Sequence, residues 1–405
     1  MKPTTQEKPT PQENPIPSPP VDEETRPLSA IDTPTPLTLP TPMEAFERFE
    51  SIFGGRRAPF AFIDLDAVWA NAADMLRRSR GKPIRIASRS IRSRPVLERL
   101  LDLDPGFQGA LTFSLAETIW LWERGMRDLV VAYPTTDRAC LTRLARITSE
   151  DPDEAAVVMV DSTEHLDLIE EAATSFVAPI RVAVDIDLSW RPLGGMFKFG
   201  AACSPVRTAD EAVTLAQEID RRERTKLVGL MAYEAQIAGV GDNVPGKSIN
   251  NLFVRRMQAV SARDVEERRA EIVMALSEVA QLEFVNGGGT SSIDRTASEW
   301  AVTEIAAGAG FYAPVPLDHY RSFRPRPAAM FALPVTRSSG IEIDTGAERA
   351  LPQTPPDRLQ IGDRVYFRDL RAAELCERFD RLYLVTGTTI RDEVATYRGE
   401  GKAFI

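Results

Sequence analysis

The sequence predicts an α/β barrel of the TIM type followed by a smaller C-terminal β domain. Three observations carry this expectation. Eight short apolar runs alternate with amphipathic stretches between residues 84 and 305. Glycine-rich segments follow the last two of those runs, where a barrel keeps its ligand loops. Beyond Arg326 the helical periodicity stops, and short β runs separated by Pro, Gly and Asp replace it.

Residues 1–42 hold 12 of the 30 prolines, mixed with Thr, Ser and Glu. Such a segment buries too little apolar surface to offset its ordering entropy and is expected to be an extended tail. Met43, Phe46, Phe49 and Ile52 then recur at spacings of three, the mark of a short amphipathic helix. Phe60–Ile63 reads as a strand. Asp66 is expected to cap a helix running through Val68, Ala72 and Met75, which Gly81 terminates. The barrel, assigned to residues 43–325, takes its strands from Ile84–Ala87, Ala110–Phe113, Leu129–Ala132, Val157–Val160, Ile180–Ile186, Leu227–Met231, Glu283–Val285 and Thr303–Ile305. Its longest helix is expected from Arg255 to Gln281. A doubly wound open sheet is the competing arrangement. Met330–Val335, Gly340–Ile343, Arg364–Phe367 and Arg381–Val385 supply the strands of the β domain, residues 326–405.

Composition narrows the function. A net charge of −10 argues against a sequence-independent nucleic-acid binder. No apolar run approaches the roughly 18–20 residues needed to cross a bilayer. Cys140, Cys203 and Cys376 are odd in number and widely spaced, so a disulfide framework is not expected and a reducing, cytoplasmic setting is. With only His165 and His319 present, a histidine-based triad or a multi-histidine zinc site is nearly excluded.

The strand ends give a short list of candidate site residues. Asn286-Gly287-Gly288-Gly289-Thr290-Ser291 follows the seventh barrel strand, and Gly308-Ala309-Gly310-Phe311-Tyr312 follows the eighth. Glycines let backbone N–H groups close around an anion, and Thr290 adds a hydroxyl, so a phosphate-bearing ligand is expected there. Arg89 follows the first strand, Trp190, Arg191 and Lys198 follow the fifth, and Tyr233, Glu234 and Gln236 follow the sixth. Glu374 and Cys376 are two residues apart. On a strand that spacing puts both on one face, where a carboxylate and a thiolate could share a divalent metal such as zinc. The bland reading of these features is tight turns, solvated arginines and an inert buried cysteine.

Taken in order, Phe62-Ile63-Asp64-Leu65-Asp66-Ala67, Ile84-Arg85-Ile86-Ala87-Ser88, Met231-Ala232-Tyr233-Glu234-Ala235-Gln236, Phe284-Val285-Asn286-Gly287-Gly288-Gly289-Thr290 and Ala373-Glu374-Leu375-Cys376 resemble the fold-type III pyridoxal-phosphate enzymes. The resemblance covers Pro59 to Ile405. It is stronger to the D-threonine aldolase and D-serine dehydratase group than to the alanine racemases, and stronger still to bacterial amino acid deaminase/aldolase proteins. It implies that the Phe60–Ile63 strand joins the C-terminal β domain and that the chain forms a homodimer. It also implies a site for pyridoxal phosphate built from Tyr233, Asn286, Gly288, Gly289, Thr290, Gly310 and Tyr312.

The departures matter as much. Where the family carries the Schiff-base lysine, this chain carries Arg89, and a guanidinium cannot condense with an aldehyde. The family's Tyr-Glu-Gly-His becomes Tyr233-Glu234-Ala235-Gln236, and its His-x-Cys metal pair becomes Glu374-Leu375-Cys376. The expected function is therefore a repurposed member that holds a phosphorylated or amino-acid-like small ligand non-covalently. Two alternatives stand beside it: a lyase, aldolase or racemase using another amine such as Lys198, and a partner-binding scaffold.

Overall fold

A computed structural model of the chain describes residues 42–201, 203–336 and 360–404. It opens with α1 (Pro42–Phe53), β1 (Phe60–Asp64) and α2 (Leu65–Ser79). The eight apolar runs become β2 (Ile84–Ala87), β3 (Phe107–Thr112), β4 (Leu129–Val131), β5 (Val158–Val160), β6 (Ile180–Asp185), β7 (Thr225–Ala232), β8 (Phe284–Gly287) and β9 (Glu304–Ala307). Between them lie α3 (Arg94–Leu101), α4 (Leu115–Trp122), α5 (Arg138–Glu150), α6 (Thr163–Ala172), α7 (Ala209–Asp220), α8 (Ala235–Ala238), α9 (Ser248–Ser277) and α10 (Ile293–Thr296), and α11 (Ala309–Tyr312) follows β9. The chain ends with β10 (Ala329–Pro334), β11 (Arg364–Arg368), α12 (Leu375–Arg378), β12 (Arg381–Thr386) and β13 (Thr389–Ala395).

Strands β2 to β9 form one parallel sheet in the order β4-β3-β2-β9-β8-β7-β6-β5. A parallel bridge between Val130 and Val157 joins its two ends, so the sheet closes into the expected (β/α)8 barrel rather than an open doubly wound sheet. Helices cover the outer face and side chains plug the inner one, which is why these strands read as continuous apolar runs instead of alternating ones. Val130, Met159, Ala183, Met231 and Phe284 form part of the plug. Among them sits a buried ionic layer. Arg85 on β2 donates two bonds of 2.8 Å to Glu304 on β9, and a third group of the same guanidinium reaches Asp128. Desolvating such charges is costly, and only the paired, bidentate geometry offsets it.

The second sheet has the order β11-β10-β1-β12-β13. β1 runs antiparallel to β10 and parallel to β12, so a strand from the start of the described chain lies in the middle of the C-terminal sheet. Phe49 and Phe53 of α1 pack on Phe60, Phe62 and Tyr366 of that sheet, their rings 4.5–5.5 Å apart where they meet. The two sheets join through short connections: α2 leaves β1 and packs against α11 at the barrel mouth, holding the small sheet against the barrel.

Several local expectations need correction. Asp64, not Asp66, occupies the N-cap of α2, and it does so without a side-chain cap bond because its carboxylate pairs with Arg48. Asp66 sits in the first turn, where it accepts from the Gly387 N–H. The helix ends at Arg80, itself left-handed (φ 55°), ahead of Gly81. The longest helix, α9, starts and stops earlier than its apolar spacing suggested, because Asn251 bonds both the N–H and the C=O of Val244 and draws the first turn in. β13 was not expected: most of its side chains face solvent, so it lacks an apolar signal. Gly340–Ile343 lies outside the described residues, as does the Pro-rich tail up to residue 41. Among the described residues, no helix is long and apolar enough to cross a membrane.

Candidate active site

The loops at the C-terminal ends of the barrel strands enclose a cavity of about 400 Å3. That volume suits a drug-sized or cofactor-sized ligand. The residues that decide its chemistry are Arg89, Asp185, Tyr233, Asn286 and the segments Gly288–Ser291 and Gly308–Ala309.

Arg89 sits in a 3-10 turn, Ser88–Ser90, directly after β2. Its guanidinium lies 4.4 Å from the ring centroid of Phe113, and it forms no ion pair with a described residue. An arginine stacked on an aromatic face and free of carboxylates keeps its donor fork available for an anion. Among the described residues no lysine lines the cavity. Lys198 is exposed on the β6–α7 loop and stands outside the lining.

The glycine-rich loops are held from behind. Glu234 is buried; it pairs with the buried Arg269 at 2.7 Å and accepts from Gly288 N at 3.1 Å and Ser292 Oγ at 2.9 Å. Arg269 also pairs with Glu299. Gly288 needs its left-handed backbone (φ 85°), and a Cβ there would press on Ile305. The N–H of Gly289 is taken by Ser292 Oγ and that of Gly310 by Thr290 Oγ1. By contrast the N–H groups of Thr290, Ser291 and Ala309, all cavity-lining residues, have no acceptor among the described residues. They are the groups that fit a phosphate. Gly310 and Tyr312 stand behind this layer: Gly310 allows close approach of Met75, and the Tyr312 hydroxyl donates to Ile91 O.

Asn286 is fully buried. Its Nδ2 donates to Glu304 Oε1 at 2.7 Å, which fixes the amide, since a carboxylate only accepts. Oδ1, at the cavity wall, has no hydrogen-bond partner among the described residues. Gln236 is buried too, but its Nε2 donates to Leu188 O and it does not line the cavity.

Asp185 was not singled out from the sequence, because it ends an apolar run and reads as a strand terminus. In the fold it follows Ala183 by two residues, on the inward face, and lines the cavity. Burial first, then the like charges of Asp161 and Asp187, push its carboxyl up to about 7.

Glu374 and Cys376 are not on a strand. Glu374 caps α12, which places the two side chains on different sides of a helical turn. Glu374 pairs with Arg378, and the Cys376 thiol is buried against Ile91 O, where burial pushes its pKa well up. A thiolate is needed to bind zinc, and this environment opposes one. The residues do not fit a metal, and among the described residues no three His, Cys, Asp or Glu side chains come together to hold one.

No family model matches the chain, and no curated protein does. Solved structures do. The chain superposes on D-threonine aldolase from Filomicrobium marinum with a TM-score of 0.69 and 18% identity, over 84% of this chain and 96% of that one. For D-threo-3-hydroxyaspartate dehydratase from Delftia sp. the TM-score is 0.62 and the identity 15%, over 84% and 98%. For alanine racemase from Bacillus anthracis with bound L-Ala-P they are 0.53 and 12%, over 85% and 99%. The chain therefore has the two-part fold of these enzymes, barrel and β domain together.

Proposed function

We propose that the chain binds a small phosphorylated ligand of the pyridoxal phosphate class non-covalently, in the cavity at the barrel mouth. One observation carries this reading: among the described residues, the cavity presents an unpaired arginine, Arg89, and no lysine. The free N–H groups of Thr290, Ser291 and Ala309 would hold the phosphate, and Tyr233 and Tyr133, which line the cavity, would offer aromatic faces to a ligand ring. Bound pyridoxal phosphate supplies an aldehyde and an electron-withdrawing ring. Arg89 offers charge to an anionic part of the ligand but no amine to the aldehyde.

Calorimetric titration with pyridoxal phosphate tests the location. Gly289 has an ordinary backbone conformation, and a Cβ there would lie between Ala238 and Tyr233 at the cavity wall. Gly289→Asp should therefore leave the barrel folded and weaken binding by about tenfold or more through like-charge repulsion. Unchanged affinity would mean that these loops are turns only.

A further inference from the structure

The cavity has two ends of opposite character. In the closed ring of strands β2 and β6 stand four strands apart in either direction, so Arg89 and Asp185 face each other across the mouth. Both line the cavity, and no ion pair joins them.

Asp185 differs from the acids around it. Asp187 is neutralised by Arg191 at 2.6 Å and Arg207 at 2.7 Å, and accepts from Ser189 N. Asp161 pairs with His165 at 2.9 Å. β7, packed on the other side, brings Met231 and no charge. Asp185 is left without a cation among the described residues. Its carboxylate takes one backbone hydrogen bond, at Ile186. A quarter-turn away, Asn286 Oδ1 is an acceptor without a donor among the described residues, on a residue that is 0% exposed. Asp185 opposite the free guanidinium, with Asn286 Oδ1 on β8 midway between them, specifies a ligand that is anionic towards Arg89 and carries N–H donors towards β6 and β8.

We propose that the ligand carries a protonated amine held by Asp185 and Asn286 Oδ1, so that the cavity prefers pyridoxamine phosphate to pyridoxal phosphate. This rests on the phosphorylated-ligand reading above and refines it. An alkylammonium gains a charge-assisted hydrogen bond from the carboxylate that an aldehyde cannot make. The bond needs an ionised Asp185, whose carboxyl is pushed up to about 7 by burial and then by Asp161 and Asp187, so the preference should be larger at pH 8 than at pH 6. The phosphate of the ligand also titrates in that range, but it is common to both forms and cancels in their ratio.

The test is calorimetry at pH 8 with pyridoxamine phosphate, pyridoxal phosphate and inorganic phosphate, on wild type and Asp185→Asn. The variant is isosteric and removes a buried charge without a partner, so it should fold. Wild type should bind the amine form about tenfold more tightly than the aldehyde. Asp185→Asn should abolish that margin by lowering the affinity for pyridoxamine phosphate relative to pyridoxal phosphate. Equal affinity for the two forms, or a margin that survives Asp185→Asn, overturns this inference and leaves the phosphate reading standing. If neither form nor inorganic phosphate binds, both fall together.

Discussion

At the scale of single residues, the site depends on which charges have partners. Glu234 and Arg269 are both buried and each is the other's counter-charge. Glu234→Ala leaves Arg269 with Glu299 as its remaining carboxylate but unpairs the Arg269 group that Glu234 held, and should cost about 1–3 kcal/mol in urea unfolding. The same variant should weaken phosphate-ligand binding, because Gly288 N and Ser292 Oγ lose their anchor. A stability change within experimental error would show that the pair is not holding the loop. The cysteines give an independent reading of the cavity. Cys203 is exposed and lines it, Cys140 is half-buried with its thiol pushed up to about 11 by burial and then by Asp137, and Cys376 is buried. Maleimide labelling with peptide mapping should find Cys203 the fast-reacting thiol, slowed several-fold by saturating pyridoxal phosphate. Labelling of Cys203 that ignores the ligand would put the ligand elsewhere.

At the scale of elements, what could be read in the sequence follows burial. Strands β2 to β9 announce themselves as apolar runs because both their faces are covered, and the glycine loops after β8 and β9 stand out because the backbone there has to turn tightly. β13 gives no such signal, since an edge strand facing water has no reason to be apolar. The spacing of Glu374 and Cys376 was ambiguous for a different reason: two residues apart means one face on a strand but not on a helical turn, and only the fold says which applies. Asp185 and Asn286 Oδ1 escaped because their importance lies in lacking partners, which depends on residues distant in sequence. α1 shows the opposite case, a short pattern that was legible and is structurally placed. Phe49 and Phe53 sit in the aromatic core of the small sheet. Deleting residues 1–41 should therefore leave the melting temperature unchanged, whereas deleting 1–54 should lower it by more than about 5 °C. Equal effects of the two truncations would contradict this placement of α1.

At the scale of the whole molecule, the fold is that of enzymes acting on D-threonine, D-threo-3-hydroxyaspartate and alanine, while the cavity holds an arginine where the sequence resemblance implies the reactive lysine. The barrel, the small sheet and the two glycine loops are all present, and among the described residues no lysine lines the cavity. A polar layer, Arg85 with Glu304, fixes Asn286, and the Glu234–Arg269 pair fixes Gly288, so the cavity is built on buried ionic supports rather than on loop packing alone. The measurement that bears most directly on non-covalent binding is borohydride reduction of the protein with pyridoxal phosphate, followed by peptide mapping, in wild type and Arg89→Lys. Wild type should bind the cofactor yet yield no reduced adduct at residue 89 or at any other cavity position, and Arg89→Lys should yield one at residue 89. A reduced adduct on Lys198 or another lysine of the wild-type chain would contradict the account and return an amine to the site.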